Sequence, residues 1–465
     1  MRIRRLVPSL PCPDSVSTAV PSTTVGGSRA GQTTDDRNRR VSTGSRGQFR
    51  PIGLVLSASL TVLLWTNRGT VAEDWPQFRG PHGLGLSHET GLPTTWSEQE
   101  NLAWKIRLPG PGASSPIVLR DKVFVTCYSG FGVDGEPPGR MEDLRLHLLC
   151  VSLSDGTVIW NHTIQPRLPE EERIRDHGYA AATPATDGEA LYVFFGKTGV
   201  IKFGLDGQPI WQTTVGDRTH GWGSGASPVL YENLVIVNAS VESGCLVAID
   251  KATGAEVWRA AGMEDSWNTP HLVPLEGGST ELLISVKDRI LAFDPRTGNR
   301  LWSCDGIQDY VCPSIVAGNG VVYVMGGRQS RAIAVRAGGR GDVSKTHKLW
   351  DIKAGANVTS PVLYRDYLYW VSDRNTTAYC VRTKDGTIMY AERFPEQPYA
   401  SAIAADERLY VVSRYGGTFV LAAAPEFKIL ARNRFEDRGT FNASPIIADG
   451  ALLLRSDHFL YCVRQ

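Results

Sequence analysis

From residue 101 onward one arrangement of apolar and polar positions recurs through the chain. It begins with a small or hydroxyl residue, then proline, then a short apolar run. The copies are "SSPIVL" (Pro116), "ATPAT" (Pro184), "ASPVLY" (Pro228), "NTPHLV" (Pro270), "VCPSIV" (Pro313), "TSPVLY" (Pro361) and "ASPIIA" (Pro445), with Ala402 replacing proline in "YASAIA". A second run follows each, such as "DKVFVTC" or "ERLYVVS", and then a third, such as "GCLVAID" or "FLYCVR". A fourth closes the unit at Trp160, Trp211, Trp258, Trp302, Trp350, Tyr390 or Leu430. The runs are short, rich in Val, Ile, Leu and Tyr, and bounded by Gly, Asp or Asn. This pattern predicts short strands joined by tight turns.

Four strands in a unit of about 45 residues match a propeller blade. The last unit, 440–465, holds only three runs. The missing fourth stands at the other end as "NLAWKIRLP", with Trp104 in the closing position. The expected fold is therefore an all-β, eight-bladed β-propeller of four-stranded antiparallel blades, the last closed by the N-terminal strand. Such closure removes open sheet edges that would invite aggregation.

The third and fourth runs are joined by a recurrent turn. Its fullest copies are "AIDKATG", from Ala248 through Asp250, Thr253 and Gly254 to Trp258, and "AFDPRTG", from Ala292 through Asp294, Thr297 and Gly298 to Trp302. Partial copies occur at Gly156 with Trp160, Gly207 with Trp211, and Gly386 with Tyr390. Asp accepts hydrogen bonds from the turn backbone, Gly supplies a positive φ, and the flat Trp ring packs between sheets. None of these roles requires a ligand.

This Ala-x-Asp-x-x-Thr-Gly-x-x-x-Trp pattern resembles the repeat of the quinoprotein, or PQQ-like, propeller family, over residues 101–465. The resemblance implies one of two kinds of protein. Quinone-dependent alcohol dehydrogenases of the family hold pyrroloquinoline quinone (PQQ) and calcium, with the quinone between a Trp and a disulfide of adjacent cysteines. This sequence has no adjacent Cys pair. Non-catalytic members include the propeller lipoprotein of the outer-membrane β-barrel assembly machine, whose lipidated Cys is lacking here. The stretch "DWPQFRGPHGLGLSHETGLPTTW", residues 74–96, looks like the opening of exported propellers of planctomycete-type bacteria. Being rich in Gly and Pro, it suggests an N-terminal strap over 73–100, with Trp75, Phe78 and Arg79 as packing anchors.

Charge and composition add to this picture ahead of the strap. Residues 1–50 carry nine Arg and three Asp, hence +6, so the overall +1 leaves about −5 for the rest. An acidic body argues against nucleic acid, which requires a positive field. The basic segment 1–50 reads as disordered or untranslated. Residues 51–72 contain an apolar stretch, Ile52 to Trp65, shorter than the roughly 20 residues of a membrane span. Arg46 and Arg50 precede it, and Thr70 and Ala72 follow with signal-cleavage spacing. The expectation is a secretory signal cut after Ala72, a mature chain with no membrane span, and a periplasmic or cell-surface location.

Of eight Cys, seven follow Ala72, and no CxxC or CxxCH occurs. The usual zinc, haem and redox spacings are therefore absent. Cys127 with Cys150, or Cys304 with Cys312, are candidate disulfides in an oxidising compartment. Cys150, Cys380 and Cys462 also fall at matching repeat positions, as small apolar core residues would.

Propellers bind ligands at the channel mouth, on loops entering the innermost strands. Those loops supply His177 and Tyr179, His220 and Trp222, Asp265, Trp267 and Asn268, and Asp309 and Tyr310, with Asn357, Tyr399 and Asn442 beyond them. They form a candidate binding ring, or else a plug of aromatics. The charged segment "QPRLPEEERIRDHG" reads as a solvated flap. Three functions follow: a monomeric, non-enzymatic scaffold that presents a binding face to a protein or polysaccharide, without metal or cofactor; a PQQ- and calcium-dependent alcohol or sugar dehydrogenase; or a carbohydrate-binding accessory protein. In the second, Trp222 or Trp267 would stack on the quinone, and Asp265 or Asp309 would act as base or calcium ligand.

Overall fold

Why the repeat begins with a hydroxyl residue and proline becomes clear from the placement of its first strand. A computed structural model of the protein describes residues 73–465, apart from Pro138 and Gly416; the expected basic segment 1–50 and signal 51–72 lie outside the described residues. Eight antiparallel sheets surround a channel. Blade one is built from Ile117–Leu119, Lys122–Ser129, Arg145–Ser152 and Val158–Ile164, in spatial order from the channel outward. Blades two to seven begin at Ala185–Thr186, Val229–Tyr231, His271–Pro274, Val316–Gly318, Val362–Tyr364 and Ile403–Ala405. Blade eight combines Ile446–Ala448, Ala451–Arg455 and Phe459–Val463 with the outer strand Leu102–Arg107, where Lys105 faces Tyr461. The propeller, its eight blades and the closing N-terminal strand are thus as the repeat predicts.

Each inner strand leaves one backbone edge facing the channel without a partner strand. Proline removes a donor there. The residue just before it is hydrogen-bonded by the next blade. The N–H of Ser115 donates to Thr183 Oγ1 at 2.9 Å, and the N–H groups of Thr183, Ser227, Thr269, Ser314, Ser360 and Ser401 donate to the hydroxyls of Ser227, Thr269, Ser314, Ser360, Ser401 and Ser444 at 2.9–3.1 Å. Seven such links stitch neighbouring blades around the channel. In blade five the linking hydroxyl is Ser314, which follows Pro313, so Ile315 and not Pro313 occupies the proline position of the other blades.

The eighth link, between Ser444 and Ser115, falls at the seam where the chain closes. There the buried Arg455 guanidinium donates to Ser114 O at 2.7 Å and Ser114 Oγ at 2.6 Å instead.

At the rim, the closing Trp of one blade seats on the turn glycine of the next. Trp211 Nε1 donates to Lys251 O at 3.1 Å, and a Cβ on Gly254 would lie 2.8 Å from the Trp211 ring. Trp104 with Gly156, Trp160 with Gly207, Trp258 with Gly298 and Trp350 with Gly386 repeat the arrangement. Asp250 Oδ1 accepts from Ala252 N and Thr253 N, which fixes that turn. Trp302 departs from the pattern and donates to the buried Glu281 at 2.8 Å. Here the chain inserts Gly341–Asp342 as a parallel fifth strand on blade four.

Glycine at 254 thus answers two demands, φ +74° and room for an indole, whereas Gly320 has φ +70° and open space. Gly320→Ala is expected to cost about 1 kcal/mol. Gly254→Ala should cost roughly 3 kcal/mol, because the indole must also move. Urea midpoints of the two variants measure the difference, and equal losses would refute the indole contact as its cause.

The strap residues lie across the channel end opposite the entering loops. Trp75 pairs with Val118 of blade one, and Leu86 with Ala404 of blade seven. Trp75 and Arg79 are buried. Gly80 admits the Trp75 ring, and the Arg79 guanidinium reaches Leu84 O at 3.1 Å and Pro361 O at 2.5 Å. The seven described cysteines are all free thiols. Cys127 faces His147 across its ladder while Cys150 faces Phe124, an odd offset that puts the two on opposite sheet faces. Cys304 lies in the outer strand of blade four and Cys312 at the channel, so neither candidate disulfide forms.

Candidate ligand-binding site

The entering loops surround a cavity of about 260 Å³ at the channel mouth. Phe78 of the strap forms its floor and separates it from an 800 Å³ groove on the opposite face. Four residues of the expected ring line this cavity: His177, Trp222, Trp267 and Tyr310. The more distant Asn357, Tyr399 and Asn442 join them. Trp222 packs against Trp267 and Tyr310 with ring centroids 5.1 and 4.7 Å away, and Trp267 Nε1 donates to Gly223 O at 2.9 Å. The exposed His220 ring lies over this pair, 5.5 and 5.2 Å from Trp222 and Trp267, outside the cavity wall.

The other ring residues are used differently. Tyr179 packs edge-on against Tyr128 at 5.1 Å and donates to Glu171 O, within the wall of blades one and two. Asn268 is fully buried, and its amide donates to Ser285 O at 2.6 Å. Asp265 is exposed and pairs with Lys287 at 3.5 Å. Asp309 caps Arg328, taking its N–H at 2.8 Å and its guanidinium at 3.1 Å, while that guanidinium covers the Tyr310 ring.

Several cavity residues carried no repeat signal. Arg414 and Asp373 come from hairpins between second and third strands, which open on the same face. Arg414 pairs with Asp176 at 2.7 Å and lies 4.7 Å over the Tyr399 ring. Asp176 also takes Arg175 at 3.0 Å, and its backbone O accepts Asn442 Nδ2 at 2.6 Å. Part of the segment expected to be a solvated flap is therefore cavity wall. Asp373 Oδ1 accepts the N–H groups of Asn357 and Val358, both at 2.9 Å. Tyr310 Oη donates to Asn357 Oδ1 at 2.8 Å.

Burial and ion pairing set the charge states of several titratable groups here. Arg414 and Arg175 keep Asp176 below the ordinary carboxylate range, overcoming its burial. Burial pushes the Cys312 thiol up to about 12 and lowers the His177 imidazole. Tyr310 and Tyr399 are raised, again chiefly by burial. Groups in these states can bind and orient a ligand, with Asp176 charged and the His177 imidazole neutral at pH 7.

PQQ with calcium is the group the repeat family implies, and the residues do not fit it. Divalent calcium takes six to eight oxygens. Here the Asp373 carboxylate caps two backbone N–H groups and Asp176 is bound by two guanidiniums. Among the described residues no group of three His, Cys, Asp or Glu could hold a metal ion. The one cavity thiol, Cys312, is free, so no disulfide clamp faces Trp222 or Trp267.

Comparison with known proteins agrees with the repeat. Residues 197–425 match the family described as outer membrane protein assembly factor BamB. Among solved structures, BamB from Moraxella catarrhalis aligns with TM-score 0.56 at 14% identity, over 78% of this chain and 99% of its own. A quinohemoprotein alcohol dehydrogenase from Comamonas testosteroni aligns with TM-score 0.60 at 12% identity, over 84% and 80%. A europium-containing methanol dehydrogenase aligns with TM-score 0.51 at 10% identity, over 84% and 98%. At these identities the structural likeness is one of fold. No curated protein matches by sequence. Repeat, blade count and family match together place the chain in the PQQ-like β-propeller family, related to BamB.

Proposed function

We propose that the protein is an exported, non-enzymatic propeller that presents its cavity face to a protein or polymer partner. The observation that carries this reading is the Trp222–Trp267–Tyr310 cluster at the mouth of a cavity in which Arg175, Asp176 and Arg414 are already paired with one another. Aromatic side chains of this kind anchor interfaces, because they bring large area with few rotatable bonds. The likeness to BamB, an assembly factor, supports a protein-binding role. No helix among the described residues is long and apolar enough to cross a membrane.

The test has two arms. The purified protein titrated with PQQ and calcium, then assayed for dye-linked alcohol oxidation, is expected to show neither saturable binding nor turnover. Turnover would overturn the scaffold reading in favour of a dehydrogenase. A photo-crosslinking residue at His220 should trap a partner in host extracts, whereas the same residue at the exposed rim position Ile210 should not. Equal trapping at both positions would remove the cavity face as the binding surface.

A further inference from the structure

The cavity borders a second cleft. Arg175, Asp176, His177 and Arg414 belong both to its wall and to that cleft, of about 680 Å³, over the seam of blades eight and one. The two adjoin along these four residues and together make a composite groove. Trp222, Trp267 and Tyr310 line one part, and Arg107, Arg173 and Arg438 the other. Arg175 and Arg414 are occupied by Asp176 at 3.0 and 2.7 Å. Arg107, Arg173 and Arg438 are exposed and, among the described residues, make no ion pair or side-chain hydrogen bond. Besides Asp176, the carboxylates of the same cleft are Asp134 and Glu136, on an exposed loop, and Asp457, which is mostly buried beside Arg455.

Each guanidinium offers five N–H donors in a fork that matches a carboxylate or sulfate. The aromatic part offers something different. Flat rings suit the apolar face of a sugar ring, and neutral amides suit its hydroxyls. Asn357, Gln397 and Asn442 supply such amides, and the buried Asn442 Oδ1 has no hydrogen-bond partner. At about 260 Å³ the cavity falls just short of the roughly 300 Å³ lower bound for drug-sized ligands, so it admits a unit of a chain while the rest runs along the cleft. An acidic peptide could also pair with the arginines, but its acidic side chains present no flat apolar face to Trp222 and Trp267.

We propose that this groove binds an anionic oligosaccharide, with one sugar unit against Trp222 and Trp267 and flanking carboxylate or sulfate groups on Arg107, Arg173 and Arg438. The proposal rests on the cavity face being the binding face. It names the partner chemistry of that face.

Calorimetric titration with oligogalacturonate, dextran sulfate, neutral dextran and polyglutamate tests it and separates the two possible anions. At least one charged sugar should bind, more weakly as salt rises. Trp222→Ala, and separately the pair Arg173→Ala with Arg438→Ala, should each weaken it about tenfold or more, equivalent to about 1.4 kcal/mol. The Arg pair alone should flatten the salt dependence. Unchanged circular dichroism and melting would show that each variant is folded. Neutral dextran binding as well as the charged sugars would overturn the role of charge. Polyglutamate binding equally well, or indifference to Trp222→Ala, would overturn sugar recognition. If no probe binds, the proposal is wrong, while the binding-face reading is decided separately by cross-linking at His220.

Discussion

A chain that begins after Leu108 is expected not to hold the propeller fold. Residues 73–108 supply the outer strand of blade eight, Leu102–Arg107, and with it Trp104, which seats on Gly156 and donates to Leu153 O at 2.8 Å. They also bring Trp75, Leu92, Trp96 and Leu108, all buried in one apolar cluster with strands of blades seven, eight and one. Fully burying a large apolar side chain stabilises by roughly 1.5–3 kcal/mol. Five of them therefore account for about 10 kcal/mol, comparable with the whole stability of a typical domain, about 5–15 kcal/mol. Without this segment blade eight would also expose the edge of Phe459–Val463, an invitation to association. Near-ultraviolet circular dichroism should lose its fixed aromatic signal in the truncated chain, and a synthetic 73–108 peptide should restore it. Cooperative unfolding at the full-length urea midpoint would show that the seam is dispensable.

The contrast between what the sequence revealed and what it concealed has a physical basis. Strands announce themselves because alternate apolar positions recur, and the hydroxyl–proline step recurs because every inner strand has the same unpaired edge. The entering loops were legible as the channel mouth for the same reason. The aim of single side chains within them was not. Trp267 and Asn268 are neighbours in one loop, yet one lines the cavity and the other satisfies buried carbonyls in the wall.

Arg414 and Asp176 meet across 238 positions of sequence, and neither belongs to a repeat. Phe78 read as a packing anchor, and its place as the cavity floor follows only from the path of the strap across the channel. Arg455 did leave a trace, as a charged residue ending the apolar run "ALLLR". Only the closing seam, which lacks the eighth hydroxyl link, explains why it is there.

Glu242→Gln is expected to make the protein more stable at pH 8 by about 2–3 kcal/mol and to change little at pH 5. Glu242 is buried at a small polar cavity of about 30 Å³ between blades two and three and the segment that carries Arg175 to His177. Its carboxyl is pushed up to about 7, chiefly by burial, although Ser224 Oγ donates to it and Arg218 lowers it somewhat. Glu170 faces the same cavity and is pushed up to about 7 by burial, Glu242 and Glu171, against the lowering effect of Lys197. Between pH 4.5 and about 7 the unfolded chain has released these protons while the folded chain keeps them. Stability therefore falls as pH rises through that window and levels off above it. Glutamine has the shape of the protonated acid and can still accept from Ser224, so it should keep the low-pH stability and remove roughly half of the slope, the remainder staying with Glu170. Urea midpoints at pH 5 and 8 for both proteins measure this. A slope in Glu242→Gln equal to that of the parent would mean that the pH dependence originates elsewhere.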